Sequence, residues 1–490
     1  MDAGKEAVPM KLKELLQGLT LVASTADLEM EIPQISYDSR RTAPGDLFVA
    51  MRGFETDGHA YIGKAAERGA AAVLCEEPPQ DPAIPYLQVE DSRRALAVLG
   101  ANFYGHPADA MTMVGVTGTN GKTTTTYLLK AILEQKLGAK VGLIGTNQNM
   151  IGEEVIPTER TTPESFELQG LFAQMRDAGC THVVMEVSSH ALELDRVYGV
   201  RYAVGVFTNL TQDHLDFHKT MERYCDAKAK LFQNCTLGVY NADDPWAKRL
   251  MEQASCIPFS YGEAETADLR AEDVSLGAEG ISFSVCDQGG KRTAVQVGIP
   301  GRFMVYNTLD VLGAALALGV SLDQSAEVLR RVPPVKGRVE VVPTPGKDYT
   351  ILIDYAHSPD GLKNVLSTVK GFAQGRTIAL FGCGGDRDRT KRPKMGKIAA
   401  DLADFVIVTS DNPRTEEPSA IIAEILPGFA ESTTPRVVVE NRVEAIHYAM
   451  DHAEKGDVIV LCGKGHETYQ EIHHVKHHMD EREIVAAYLS

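Results

Sequence analysis

Short apolar runs, each closed by a polar or glycine-rich turn and followed by a stretch of helical period, recur along this chain. In the first hundred residues Leu47–Met51 and Ala71–Cys75 read as strands and Tyr61–Arg68 as a helix. From Met111 the alternation becomes regular, with strands at Met111–Val116, Val141–Ile144, Thr181–Glu186 and Val204–Asn209 and helices at Tyr127–Leu137 and Phe166–Ala178. It resumes beyond the Pro333–Pro334 pair, a linker by composition, with strands at Thr350–Tyr355, Thr377–Gly382, Phe405–Ser410 and Val458–Cys462 and helical stretches at Gly361–Val369 and Lys397–Leu402. Apolar strands alternating with helices predict mostly parallel sheets covered on both faces. The pattern divides the chain into three α/β segments, 1–107, 108–334 and 335–490. In the last, ligand loops are expected at the C-terminal ends of the strands.

The 490 residues are enough for several cores. A formal net charge of −18 argues against nucleic-acid binding, which needs a basic face, but leaves room for an anionic substrate met by local positive charge. The eight cysteines are scattered without a C-x-x-C pair, as expected of reduced thiols in a cytoplasmic protein. Met1–Leu16 is charged and lacks the apolar centre of a signal peptide, and no apolar run approaches the ~18 residues of a membrane span. A monomer without nucleic-acid or membrane partners is expected.

The sharpest chemical signal follows the strand Met111–Val116. Gly118–Thr119–Asn120–Gly121–Lys122–Thr123–Thr124 joins that strand to a helix. Glycines let backbone amides turn toward phosphate oxygens, the helix start adds partial positive charge, Lys122 supplies a point charge, and the Thr123 hydroxyl suits Mg²⁺. The strict spacing would have glycine at Val116, so this is a variant phosphate loop. Glu186 ends a strand expected beside it, where a carboxylate can hold Mg²⁺. Asp213–His214–Leu215–Asp216–Phe217–His218 follows another strand; Mg²⁺ suits this acid- and histidine-rich turn beside a phosphate loop, and zinc stays open although the spacing is not that of a structural zinc site.

Three further loops each follow an apolar strand: Gly382–Cys383–Gly384–Gly385–Asp386–Arg387–Asp388–Arg389, Asp411–Asn412–Pro413–Arg414 and Gly463–Lys464–Gly465–His466–Glu467. Arginines for carboxylates and acids for ammonium groups suggest one pocket for a zwitterion. His473, His474, His477 and His478 read as a solvated surface.

Taken together, these motifs resemble the Mur ligase family across essentially the whole chain. The phosphate loop, Glu186–Val187–Ser188–Ser189–His190, Asp213–His214–Leu215–Asp216 and Asp354–Tyr355–Ala356–His357 look like its signatures. Tyr37–Asp38–Ser39–Arg40, Pro44–Gly45–Asp46–Leu47–Phe48–Val49–Ala50 and Asp57–Gly58–His59 resemble its nucleotide-sugar domain. Asp411–Asn412–Pro413–Arg414 is similar to the tetrad of members that use meso-diaminopimelate; members using L-lysine usually lack the arginine. The resemblance implies a UDP-sugar-binding domain, a phosphate-loop ATP domain and a Rossmann-like amino-acid domain. It implies ATP, Mg²⁺, UDP-N-acetylmuramoyl-L-alanyl-D-glutamate and meso-diaminopimelate as the molecules bound. By the same resemblance Ser39, Thr161, Thr162, Ser188 and Arg196 contact the muramoyl substrate. Gly118, Thr119, Asn120, Gly121, Lys122, Thr123, Thr124, Asn307, Arg338 and Asp354 are nucleotide-side residues, with Met304 standing where the family more often has asparagine. Lys228 matches a lysine carbamylated by CO₂, which with Thr123, Glu186 and His214 forms the expected metal set. Arg387, Asp411, Asn412, Pro413, Arg414, Gly463 and Glu467 match diaminopimelate contacts. Lys122, Glu186, His214 and Lys228 are the expected catalytic residues. The implied reaction is formation of an amide bond through an acyl phosphate. An L-lysine-adding relative, a folylpolyglutamate synthase-like ligase and a nucleotide-dependent binding module remain as alternatives.

Overall fold

A computed structural model describes residues 9–53, 56–158, 160–277 and 279–490. Of the charged N-terminal stretch, residues 1–8 lie outside them. Three α/β units follow one another. In the first, β1 (Ala23–Ser24), β2 (Ile35–Ser36), β3 (Leu47–Val49), β4 (Ala72–Cys75) and β5 (Tyr86–Gln88) form a sheet of order β1-β5-β4-β3-β2. Helix α1 (Ser92–Phe103) packs beside it, started by Asp91, whose carboxylate accepts the Arg93 and Arg94 amides. Phe166 of the second unit joins this core beside Leu96 and Leu99, so the first two units share apolar surface.

Among the described residues the second unit is built on an eleven-stranded sheet. Its elements are β6 (Thr112–Thr117), α2 (Lys122–Leu137), β7 (Val141–Ile144), β8 (Asn149–Ile151), β9 (Glu154–Ile156), α3 (Ser165–Asp177), β10 (His182–Glu186), β11 (Tyr202–Phe207), α4 (Met221–Phe232), β12 (Cys235–Asn241), β13 (Ile257–Gly262), β14 (Leu269–Gly277), β15 (Gly280–Asp287), β16 (Arg292–Val297) and α5 (Phe303–Ala317). Strand order is β9-β8-β7-β10-β6-β11-β12-β13-β14-β15-β16. Met113, Val114 and Val116 of β6 are buried because helices cover both faces, which is why this strand is apolar at successive positions. The sheet departs from the expected parallel alternation at its two ends. β14, β15 and β16 form an antiparallel meander, and β8 and β9 a hairpin. The reason is visible in β16: Thr293, Val295 and Val297 point inward and their neighbours outward, the period of a half-covered sheet joined by tight turns.

The third unit carries β17 (Glu340–Val342), β18 (Thr350–Asp354), α6 (Pro359–Lys370), β19 (Thr377–Phe381), α7 (Lys391–Leu402), β20 (Phe405–Val408), β21 (Arg436–Val438), α8 (Arg442–Asp451), β22 (Val458–Cys462), β23 (Tyr469–Ile472), β24 (Val475–His478) and α9 (Glu481–Leu489). Its sheet runs β17-β18-β22-β19-β20-β21, parallel except for β17. The central strands β22, β19 and β20 therefore deliver their following loops to one edge. The histidine-rich stretch forms the turn and the exposed strand β24 of the hairpin β23–β24, with His473 and His474 at its turn and β23 half-buried. No helix among the described residues is long and apolar enough to cross a membrane.

One buried ion pair underlies that edge. Arg442 is fully buried and donates from Nε to Glu481 Oε1 (2.9 Å), from Nη1 to the Ser410 carbonyl (3.3 Å) and from Nη2 to the Cys462 carbonyl (2.8 Å). It ties the ends of β20 and β22 to α9. Arg442→Ala leaves the Glu481 carboxylate buried without its partner and is expected to cost about 3–5 kcal/mol. The double change Arg442→Met/Glu481→Leu should recover more than half of that loss. Urea unfolding of the third unit measures both, and equal losses in the single and double variants would contradict the assignment.

Candidate active site

The phosphate loop leaves β6 at Thr117 and enters α2 at Lys122. It is pressed against the end of β11. Gly118 has φ +150°, and a Cβ there would stand 1.9 Å from Thr208 Oγ1, so no other residue fits. Thr208 Oγ1 and Asn209 Nδ2 donate to the Asn120 carbonyl (2.6 and 3.1 Å), and Asn209 Oδ1 accepts the Asn120 amide (3.0 Å). No side chain caps α2, so its first-turn amides are left for a ligand. Lys122 Nζ donates to the carbonyls of Gly118 (3.0 Å) and Thr119 (2.8 Å). Lys228 Nζ, from α4, donates to the same Gly118 carbonyl (2.8 Å). Burial lowers the pKa of both lysines, and Lys122's charge lowers that of Lys228 further.

Glu186 ends β10, level with Val116 in the parallel ladder. Its Oε1 accepts from the Thr123 hydroxyl (2.8 Å) and the Thr146 amide (2.9 Å), and its Oε2 from the Thr146 hydroxyl (2.9 Å). A carboxylate and a hydroxyl converging at the start of α2 are hard oxygen donors of the kind Mg²⁺ takes. The expected metal residues stand as two pairs: Thr123 touches Glu186, while His214 and Lys228 flank the Tyr224 ring, with centroid separations of 6.1 Å for His214 and 4.6 Å for Lys228. Burial lowers the His214 pKa to about 3. No group of three or more His, Cys, Asp or Glu side chains among the described residues is arranged to hold a metal.

Beside the loop, between the second and third units, lies a cavity of about 290 Å³. Asn120, Thr124 and Asn307 line it from one side and Arg338, Asp354 and Asp360 from the other. Asn120 Nδ2 donates across it to Asp360 Oδ2 (2.8 Å), and Arg338 Nη2 donates to the Thr123 hydroxyl (3.0 Å). Asp354 accepts the Val339 and Ala356 amides, both at 2.8 Å, and so fixes the turns on which Arg338 and Tyr355 stand. Met304 is fully buried, its sulfur 3.8 Å from Asn307 Nδ2, and so supports Asn307 from the core.

The loops after β19, β20 and β22 come together at one edge of the third unit. Arg414 donates from Nη1 to the Gly385 carbonyl (2.8 Å), and its Nε is 3.3 Å from Glu471. Asn412 Nδ2 donates to Glu467 Oε2 (2.9 Å), and Gly463 lies against Asp411. Burial lowers the pKa of the Arg387 guanidinium, and the charge of Arg414 lowers it further, so two cations face one space. Asp411 is held below the usual carboxylate range: burial opposes this, and Lys464 and Arg442 outweigh it. The proline of the tetrad, Pro413, carries the Asn412–Arg414 turn, and its carbonyl accepts the Glu416 amide (3.0 Å).

Of the five residues expected on the muramoyl side, four gather near Glu186. The Thr161 and Thr146 hydroxyls are 2.9 Å apart, and the Thr162 hydroxyl donates to the Glu186 carbonyl (2.9 Å). The Ser188 amide donates to Thr162 Oγ1 (3.2 Å), and Arg196 Nη1 to the Thr162 carbonyl (3.3 Å). Ser39, buried in the first unit, is joined to them by no hydrogen bond among the described residues.

Family models match along the chain: "Mur ligase family, catalytic domain" at residues 31–104, "Mur ligase middle domain" at 116–315 and "Mur ligase, glutamate ligase domain" at 337–465. UDP-N-acetylmuramoyl-L-alanyl-D-glutamate–2,6-diaminopimelate ligase 1 of Clostridium acetobutylicum is 47% identical over 482 residues, 98% of this chain and 99% of that protein. The chain belongs to the Mur ligase family. The corresponding ligase of Clostridium botulinum is 47% identical over 462 residues, 93% of this Mur ligase and 94% of its own length. A solved UDP-N-acetylmuramoyl-L-alanyl-D-glutamate–2,6-diaminopimelate ligase superposes with a TM-score of 0.68 at 32% identity, covering 98% of this chain and 99% of that one.

This Mur ligase also contains site residues whose partners the sequence did not show. Asp213 is a buried meeting point, 3.6 Å from the ring nitrogens of His214 and His357 and 3.7 Å from Lys391 Nζ. His357 and Lys391 belong to the third unit, so this one acid draws two units together. Lys391 opens the basic run Lys391–Arg392–Pro393–Lys394, and Lys391 and Arg392 are both buried. Lys464, in the loop after β22, is buried too.

The loop geometry leads to a direct test. Lys122→Ala removes the charge beside the free amides of α2 and should weaken binding of a nucleoside triphosphate roughly 10- to 100-fold, with the thermal transition unchanged. Calorimetric titration measures it. Wild-type affinity in the folded variant would take this loop out of the site.

Proposed function

We propose that this chain is the ATP-dependent ligase that adds meso-diaminopimelate to UDP-N-acetylmuramoyl-L-alanyl-D-glutamate, a step in the making of a peptidoglycan precursor. The observation that carries the reading is the meeting of Arg387, Asp411, Arg414 and Glu467 at one strand edge in a chain whose relatives of that name match it from end to end. Diaminopimelate is lysine with a further carboxylate on its distal carbon. A guanidinium can bind that carboxylate through two parallel hydrogen bonds, and a site holding Arg414 leaves it without its partner when lysine enters.

The chemistry follows from what a carboxylate lacks. Its oxygen is too poor a leaving group for an amine to displace at neutral pH. An oxygen of the D-glutamyl carboxylate therefore attacks the γ-phosphorus of ATP. The bond to the bridging oxygen breaks, and ADP leaves with that electron pair. The amine of diaminopimelate then attacks the acyl carbon, the carbon–oxygen bond to phosphate breaks, and the nitrogen loses a proton to give the amide. Lys122 and the first-turn amides of α2 hold the phosphates while negative charge moves between them. Thr123 and Glu186 are the residues to hold Mg²⁺, with His214 and a carbamate on Lys228 for a second ion; bound metal supplies positive charge against the phosphate oxygens. Burial favours the neutral amine of Lys228, and that is the form whose nitrogen bonds the carbon of CO₂ and releases a proton, leaving an anion. Arg338 and Asp354 shape the nucleotide cavity, and Thr161, Thr162, Ser188, Arg196 and Ser39 are proposed for the muramoyl substrate.

The deciding experiment is ADP release by the wild-type protein with the UDP-muramoyl dipeptide and either amino acid. Diaminopimelate should drive it and L-lysine should not; equal use of both would move the chain to the lysine-adding class. Arg414→Ala should raise the KM for diaminopimelate about 30- to 1000-fold and narrow its advantage over lysine, with the KM for ATP little changed. For Lys228, alanine should lose most activity and a small carboxylic acid should restore part of it. An active crystal holding an unmodified lysine would overturn that assignment.

A further inference from the structure

The strand-edge pocket contains an ammonium group that no reactant can touch. Lys464 follows Gly463 at the end of β22, and its side chain is fully buried. Its Nζ donates to Asn412 Oδ1 (2.8 Å) and to Glu467 Oε2, and it lies 5.1 Å from the centre of the Tyr469 ring. Its partners thus come from the loop after β20, from its own loop and from the hairpin strand β23.

The backbone around it is fixed as firmly. Gly463 has φ +110°, and a Cβ there would stand 2.3 Å from Asp411 Oδ2, so the two loops interlock at the residue before the lysine. Because Lys464 and the Glu471 amide (2.9 Å) both donate to Asn412 Oδ1, the Asn412 side chain must turn its Nδ2 to Glu467. Four polar side chains proposed to meet the amino acid or their neighbours — Asp411, Asn412, Glu467 and, through the hairpin, Arg414 — are ordered around one cation.

The charge balance also depends on it. Glu467 is faced by Lys464 from its own loop, by Asp411 from the loop after β20, by Tyr355 from the end of β18 and by Tyr469 from β23. Lys464 is the cation among them. Burial and the Asp411 charge both press Glu467 toward its neutral acid, and Lys464 opposes them. A neutral Glu467 has lost the charge that attracts an ammonium group.

We propose that Lys464 is the positioning residue of the amino-acid pocket: it locks Asn412 and Glu467 in register and keeps Glu467 an anion for the distal ammonium of the ligand. This rests on the reading of the pocket as a diaminopimelate site. Lys464 acts through its partners, since all of its ammonium group is enclosed by protein.

The test uses the full-length enzyme with ATP, the UDP-muramoyl dipeptide and diaminopimelate. Lys464→Met should raise the KM for diaminopimelate about 10- to 100-fold, with kcat and the KM for ATP within about threefold of wild type. That KM should climb further as pH falls from about 8.5 to about 6, because Glu467 then protonates, whereas the wild-type KM stays flat over the same range. Lys464→Arg, which keeps the charge, should restore most of the affinity and the flat profile. Should Lys464→Met not fold, Lys464→Gln keeps a donor toward Asn412 in a similar volume without the charge and carries the same test. Wild-type KM and a flat profile in both uncharged variants would overturn the role of Lys464 while leaving the pocket assignment standing. A wild-type enzyme that releases no ADP with diaminopimelate would overturn the pocket assignment itself.

Discussion

The carbonyl oxygen of Gly118 receives two buried lysines, Lys122 from the helix it introduces and Lys228 from α4. Two charged ammonium groups there would repel each other; burial and the Lys122 charge press Lys228 toward its neutral amine, while Glu186 and Asp213 favour the charged form of Lys122. Glu186 is taken by Thr123 and Thr146, and Asp213 lies among His214, His357 and Lys391. A chain with a net charge of −18 thus keeps the Lys122 charge and the free amides of α2 at the end of its central strand, a local setting that favours an anion. The position of β6 in the sheet, the glycine at 118 and the uncapped α2 all serve that arrangement.

The second and third units meet beside the phosphate loop. The second contributes the loop and the third closes the nucleotide cavity through Arg338, Asp354 and Asp360, so the cavity exists only where the two are in contact. The Asn120–Asp360 and Arg338–Thr123 hydrogen bonds cross the same boundary. Arg387 senses the charge of Asp216 across it, which brings the zwitterion pocket within electrostatic reach of the Asp213–His218 turn. An acyl phosphate would therefore form and be consumed at one boundary, away from bulk water.

Local chemistry made much of this legible. Gly118, Lys122 and Thr123 lie within one strand–turn–helix, and Glu186 ends a strand whose apolar run marked it as a neighbour of β6. The loops holding Arg387, Arg414 and Glu467 each followed such a run. What stayed hidden depends on partners far apart in sequence. Nothing in Lys391–Arg392–Pro393–Lys394 says that its first two cations are buried, because Asp213 and the acids Glu416 and Glu424 that hold them lie elsewhere. Lys464 looks like a loop cation until Asn412 is set against it. The meander β14–β16 carries no long apolar run to mark it, and the four histidines of the β23–β24 turn and of β24 read only as solvated surface.

The Arg442–Glu481 pair bears on how the molecule is made. The carbonyls of Ser410 and Cys462, from which two of the pocket's loops depart, are held by an arginine whose charge is balanced by a residue of α9, and Arg482 beside it pairs with Glu340 of β17. A nascent chain emerges in order, and its early domains can fold while later ones are still being synthesised. The phosphate loop and its sheet are then finished long before the amino-acid pocket, whose buried arginine waits for residue 481. During translation the chain thus passes through a stage in which the phosphate loop is formed and neither the closed nucleotide cavity nor the amino-acid pocket is.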